Sequence, residues 1–344
     1  MNSLKSALAF TAITAFLSFG LGFEVKANDV ANFYKGKQVK IVVAARAGGG
    51  HHKYSLFISP FMKKHMPGNP TFITQNMGGA GGTKAANYLY NRAAKDGTAI
   101  GILLSDTPFA SRMRTTGVKY VANNFHYLGG VDKPQGAFVV LKRSGIKTME
   151  EAKKKSVVFA STGKGSQTFI LPKLANSMIG TKFKIVTGYR GMAGVYKALD
   201  NKEADGFQSG WSSVALIRPH WLKDGRVIVL AANSLSPLKD APNAPVFRDL
   251  VQNPLDRKIV ELISNNDVIG RAWIAPPGIP KARLNALRIA FKKMAKDPEA
   301  IAAAKTRKMD WGYINWQPQQ AHAKLITNAE AKLFKRVRKL INQK

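Results

Sequence analysis

The strongest constraint on the fold is a rhythm. Short β-branched apolar runs are each followed by a glycine-marked or polar turn and then by a segment of helical period. Lys40–Ala44 (KIVVA) runs into Gly48-Gly49-Gly50. A stripe of Tyr54, Phe57, Phe61 and Met62 then marks a helix that stops at Pro67-Gly68. Thr71–Thr74 is a second strand, Gly79–Gly82 the next turn, and Ala85, Tyr88 and Leu89 lie on a second helix. Ile100–Leu104 is a third strand. Strands that alternate with helices predict a parallel, doubly wound sheet.

The rhythm restarts after Gly129-Gly130. Strands are expected at 138–141, 157–160, 183–186, 204–207 and 227–230. Thr148 is placed to cap a short helix, and helices are expected at 166–178 and 191–200. Past Asn233 come turns rich in Pro and Asn, one returning strand at 271–275, and helices at 281–296, 298–308 and 319–340. The first unit is too small to cover both faces of its own sheet, so the C-terminal helices are expected to return to it. The expectation is an α/β chain of two lobes: residues 28–127 plus 235–344, and residues 128–234. A cleft between them is the default ligand site.

The length of 344 residues suits two compact domains, and 45% hydrophobic with 21% charged residues argues against disorder. The absence of Cys excludes disulfide frameworks, thiolate metal sites and Cys nucleophiles. The net charge of +33 is extreme, yet it accrues almost evenly along the chain. Nucleic-acid binders concentrate charge on an arm, helix or face, and no arm is visible. The densest run, Lys335–Lys339, reads either as a solvated last helical turn or as a contact for a membrane surface or polyanion.

Residues 1–27 have the make-up of a secretory signal peptide. Lys5 precedes an almost wholly apolar stretch from Ala7 to Phe23, and Val25-Lys26-Ala27 puts small residues where a signal peptidase reads them. Cleavage is expected after Ala27, with an uncleaved membrane anchor as the rival. Export would leave the mature chain with a charge of +32 in the periplasm.

Nucleotide and nucleophile motifs fail on spacing. Gly163-Lys164 has Val158 where a phosphate-binding loop needs Gly, and Gly165 follows where Ser or Thr is required. Neither Gly48-Gly49-Gly50 nor Gly79-Ala80-Gly81-Gly82 completes a dinucleotide fingerprint. Ser209 lacks the flanking glycines of a nucleophile elbow. His51-His52 is a poor metal pair, because neighbours on a helix diverge by about 100°. The glycines do suit anion capture, since each loop follows a strand and opens a helix. The candidate loops are 45–52, 76–82 and 161–166, with Arg46 and Lys164 as the best-placed cations. Three structural βα turns with solvated cations would explain the same glycines.

Longer stretches resemble the periplasmic receptors of tripartite tricarboxylate transporters, the TctC or Bug family. They are FYKGKQVKIVVAARAGGG at 33–50, PGNPTFITQNMGGAGGTKAANYLYN at 67–91, KDGTAIGILL at 95–104, TGYRGMAGVYKALDNKEADG at 187–206 and RAWIAPPGIPKARLNALRIAF at 271–291. The resemblance implies a two-lobe periplasmic-binding-protein-like fold of type II that closes on a small organic acid. It implies delivery to a large and a small membrane subunit, with the receptor a monomer and with no cofactor, metal, nucleic acid or catalytic residue. Carried onto this chain, the ligand site would comprise Arg46, Gly48, Gly49, Gly50, His51 and His52, with Asn76, Gly81 and Ser105 beside them. From the second lobe it would draw Ser161, Thr162, Gly163, Lys164, Gly165, Ser166, Tyr189, Arg190, Gly191 and Asp205.

The chain departs from the family pattern at the first wall. Ala45-Arg46 replaces Phe-Pro, His52 stands where Asp is common, Leu56 where Arg is, and Gly78 where Pro is usual. An acid is lost and two potential cations are gained, which implies a ligand more anionic than a simple amino acid or a nicotinate-like acid. Two other functions compete: a secreted polyanion-binding protein, suggested only by charge, and an enzyme on the same fold.

Overall fold

The computed structural model describes residues 29–343. The expected signal peptide and cleavage site therefore lie outside the described residues. The first sheet contains β1 (Gln38–Val43), β2 (Thr71–Asn76), β3 (Ala99–Ile102), β4 (His126–Gly130) and β10 (Ala272–Ala275). Its order is β2-β1-β3-β10-β4, with β2, β1 and β3 parallel and β10 antiparallel to both neighbours. The second sheet contains β5 (Gly136–Leu141), β6 (Val157–Ser161), β7 (Phe183–Thr187), β8 (Gly206–Gly210) and β9 (Val227–Asn233). Its order is β7-β6-β8-β5-β9, with β7, β6 and β8 parallel and β5 antiparallel to its neighbours. Both lobes thus share one arrangement. In each, the antiparallel strand follows a crossing from the other lobe.

The strict parallel sheet expected from the βα rhythm is corrected to a mixed one in both lobes. The boundary expected at residue 128 falls inside β4, and the chain leaves the first sheet through 131–135. The helix expected over 319–340 is two, Trp316–Asn328 and Ala331–Asn342, with extended backbone at Ala329 between them. Thr148 does cap Met149–Lys154, its Oγ1 accepting the Glu151 amide at 3.1 Å.

Side-chain alternation along the strands builds the cores. Ile41, Val43, Ile100, Ile102 and Trp273 face helices Gly50–His65 and Lys281–Ala295. Val42, Ala99 and Ile274 point to the other face, with Leu89 of helix Thr83–Asn91. In the second lobe, Phe138, Phe159 and Phe183 pack against helix Gln167–Ile179. Helix Ala331–Asn342 lies against both Gln167–Ile179 and Pro254–Ser264. The end of the chain therefore covers the second lobe as well as the first, which sequence reasoning had not anticipated. No helix among the described residues is long and apolar enough to cross a membrane.

Candidate functional site

In a parallel βα unit the loops at the strand C-termini share one edge. Here the edges of the two lobes face one another. A Cβ placed on Gly48 would lie 3.6 Å from Ala193 Cβ, and one placed on Gly191 would lie 3.3 Å from Arg46 Cβ. A Cβ on Gly81 would lie 2.6 Å from the carbonyl oxygen of Gly165. The loops 45–50 and 78–82 of the first lobe therefore meet 163–166 and 189–193 of the second.

Four helices open onto this edge: Gly50–His65, Thr83–Asn91, Gln167–Ile179 and Gly191–Asp200. None carries an acid in its first turn, and none has a side-chain cap. Elsewhere Thr148, Asn253 and Asp297 do cap their helices. The first amides of a helix lack intrahelical acceptors and sit at the positive end of the helix dipole. Leaving four such ends uncapped around one cleft produces a region that favours negative charge.

The side chains expected at the site divide into those that face the cleft and those that serve its walls. Arg46 is exposed, and its stem runs beside Gly78 and Gly191, so that a Cβ on Gly78 would come 2.9 Å from Arg46 Cγ. Lys164 and Arg190 are exposed on the second lobe. Gly49 is the N-cap of the first helix and Gly50 is buried behind it, its Cβ position 2.6 Å from Ser213 Oγ. Asn76 donates to the Ala45 carbonyl at 3.0 Å and so ties the loops after β1 and β2 together. Ser105 sits half-buried just beyond β3.

The loop after β6 is held by hydroxyls. Ser161 Oγ and Thr168 Oγ1 lie 2.9 Å apart, and Ser166 Oγ and Thr168 Oγ1 lie 2.6 Å apart. Ser166 Oγ also donates to the Gly163 carbonyl, and Thr162 Oγ1 donates to Ser166 Oγ. These hydroxyls fix the backbone through Gly165. Tyr189 donates its hydroxyl to Glu203 at 3.2 Å.

Two expected residues are corrected. His51, expected among the ligand residues, is half-buried and turned to Arg271. Burial and then the Arg271 charge hold its imidazole down to about 3. Its Nδ1 lies 3.1 Å from Arg271 Nη1 and must accept, because guanidinium only donates. Asp205 is not in the cleft. It precedes β8, its amide bonds to the Val158 carbonyl, and its carboxylate pairs with Arg143 at 2.6 Å. Ser161 lies three residues further along β6, about 10 Å nearer the cleft.

Other residues were missed. Arg114 follows helix Thr107–Met113 and joins the lobes: Nη1 donates to the Ala80 carbonyl at 2.6 Å, and Nη2 donates to those of Gly81 and Gly165. No motif marks it. Arg271 and Asp132 form a fully buried ion pair at 2.7 Å, with Ser212 donating to the same carboxylate oxygen at 3.1 Å. A lone charge heading the apolar run at 271–275 was the available signal for Arg271. Thr168 was signalled only by the run of hydroxyl residues around Gly163.

No protein-family model matches the sequence, and no curated protein matches it. Solved structures do. The periplasmic binding protein BugD has a TM-score of 0.69 at 21% identity, covering 88% of this chain and 98% of its own. MatC from Rhodopseudomonas palustris, solved with bound malate, has a TM-score of 0.65 at 20% identity, covering 89% of this chain and 99% of its own. A TctC solute-binding protein from Polaromonas has a TM-score of 0.59 at 19% identity, covering 90% of this chain and 99% of its own. At these identities the likeness is one of fold, and it meets the expectation drawn from the sequence: this chain has the two-lobe α/β fold of the periplasmic TctC- and Bug-type binding proteins.

Proposed function

We propose that this protein is an exported solute receptor that closes its two lobes on a small organic anion, a carboxylate or dicarboxylate. The four uncapped helix N-termini around the cleft, with no acid in any first turn, carry the reading. Arg46, Lys164 and Arg190 add exposed positive charge to the same loops. The glycines at 48–50, 81, 163 and 165 bring backbone amides close to a ligand without side chains in the way. Binding, not turnover, is the role of this arrangement. The neighbours solved with malate and with adipate support a carboxylate as the first class to try. Delivery to the large and small subunits of a tripartite membrane transporter, in the periplasm and as a monomer, completes the proposal.

A thermal-shift screen with malate, succinate, adipate and citrate tests it, since a ligand held between lobes stabilises the folded state by mass action. At a hundredfold excess over Kd the stabilisation is about 2.7 kcal/mol. An acid that raises Tm, and whose effect is lost in Arg46→Ala but kept in His52→Ala, supports the cleft and its Arg46 wall. No shift with any organic acid, together with steeply salt-dependent binding to DNA or lipopolysaccharide, would favour the polyanion-binding reading instead.

A further inference from the structure

A second opening lies between the lobes, away from the loops after β1 and β7. It is a cavity of about 380 Å³, within the size range of small-molecule sites. We infer that this cavity is a second anion site, taking a carboxylate with a short apolar chain between the cations Arg114, Lys164 and Arg338 and a wall of Phe109, Met113 and Ile170.

The cations come from three separate segments, whereas Asp106 is the only acid among the described residues of the lining. Arg114 uses Nη1 and Nη2 on the carbonyls of Ala80, Gly81 and Gly165, which leaves its Nε–H uncommitted. Arg338 uses only Nη1, on the carbonyls of Arg112 and Met113, and keeps Nε and Nη2 for another acceptor. Planar guanidinium donors suit a carboxylate. The inner wall is apolar, with Phe109, Met113 and Ile170 all buried and Ile341 beside them. A purely ionic ligand would leave that wall wet, and a neutral apolar one would leave the cations unanswered.

Asp106 brings a proton-dependent partner to the site. Its Oδ1 is buried, has no hydrogen-bond partner among the described residues, and belongs to a side chain lining the cavity. Burial pushes this carboxyl up to about 6, against the pull of Arg114. Protonated, it can donate to a ligand oxygen; ionised, it opposes a bound carboxylate, so octanoate binding should weaken as pH rises through about 6. The lining includes none of residues 45–52 and none of 187–193, so the site is distinct from the proposed cleft and does not rest on it. Lys164 and Gly165 border both.

Isothermal titration with octanoate tests this, with acetate and octan-1-ol as probes of head and tail alone. The expected result is saturable binding of one octanoate, with acetate and octan-1-ol each at least tenfold weaker. Arg338→Gln and Thr116→Glu should each weaken octanoate at least tenfold, and Thr116→Glu, at an exposed position of the lining, should do so with unchanged Tm in its absence. Absence of saturable octanoate binding would overturn the inference. So would binding indifferent to both substitutions, or binding abolished by Arg46→Ala, which would place octanoate in the cleft. Malate binding in the same variants reports on the cleft separately.

Discussion

Arg271 and Asp132 are joined by two hydrogen bonds, Nη2–Oδ2 at 2.7 Å and Nε–Oδ2 at 3.0 Å, and neither side chain has any exposure to solvent. Asp132 lies in the crossing between lobes, and Arg271 heads β10. Ser212 and Ser213, from the helix after β8, approach the same pair, and the ring of Tyr54 lies 4.4 Å from the guanidinium. Elements of both lobes therefore meet on one ion pair at the base of the cleft. Removing one partner strands a buried charge, at a cost of about 3–5 kcal/mol. Arg271→Met should lower stability in urea by that amount, and Arg271→Met with Asp132→Asn should lose less than the two single changes summed. A loss below about 1 kcal/mol for Arg271→Met would show that the pair is not what holds the crossing.

Asp106 predicts an acid-side gain in stability. Its folded carboxyl is raised to about 6, mainly by burial, from an ordinary value of 3.8. Between those values the folded state keeps a proton that the unfolded chain releases. The contribution is therefore fully present below pH ~4 and is lost as pH rises through ~6. Asp106→Asn should be more stable than the parent at pH 8 by roughly 2–3 kcal/mol, with that advantage vanishing near pH 4. Denaturant midpoints measured from pH 4 to 8 check it, and a variant no more stable at pH 8 would remove the buried charge as its cause.

Asp297 predicts the opposite slope at lower pH. Burial pushes its carboxyl up, but hydrogen bonds from His65, Lys64 and the Glu299 amide outweigh this and hold it at about 2. Its contribution is thus present above pH ~4 and lost as pH falls toward ~2. Asp297→Ala also removes the cap of helix Pro298–Thr306. It should cost about 2–3 kcal/mol at pH 7 and much less near pH 2, as read from thermal unfolding. An equal loss at both values would leave capping alone as the explanation.

Local pattern carried the sequence reading as far as local pattern reaches. The strands at Ile41, Phe138 and Phe159 were legible because β-branched and aromatic residues alternate between turns. β4 was not, because HYLGG is short and ends in two glycines, and its place between β10 and the lobe edge depends on a strand 142 residues later. Helix Pro254–Ser264, with Asn253 capping it, was hidden in a stretch read only as turns. Glycine loops announce themselves through backbone conformation, and so the turns after β1, β2 and β6 were legible as loops between a strand and a helix. Arg114 and the Arg271–Asp132 pair act through partners 33 to 139 residues away, a separation no single-sequence spacing reveals. Asp205 was misplaced because a matching stretch gives its order along the chain but not which end of β8 faces the cleft.

That placement of Asp205 yields a test. Its pair with Arg143 is about one-third exposed on both sides, so it contributes only about 0–1 kcal/mol. Asp205→Ala should leave affinity for the organic acid within about twofold and lower stability by less than ~1 kcal/mol. A loss of ten-fold or more in affinity, with unchanged stability, would return Asp205 to the ligand site.

Gly81 tests whether closure depends on bare backbone. Its φ of +50° lies in the left-handed region, where a side chain costs about 1 kcal/mol. The larger effect is steric: the added Cβ would stand 2.6 Å from the Gly165 carbonyl oxygen and intrude on Arg114 as well. The Gly165 carbonyl belongs to the opposite lobe, so that clash exists only while the lobes meet, whereas Arg114 is the movable end of a side chain on the lobe of Gly81 itself. Gly81→Ala should therefore lower ligand affinity at least tenfold and enlarge the radius of gyration in X-ray scattering with ligand present. Gly180→Ala, also at a left-handed φ of +80° but with open space around the Cβ, controls for backbone strain. Equal affinity losses in both variants would assign the effect to strain. An unchanged affinity in Gly81→Ala would mean that the ligand is held without the 81–165 contact.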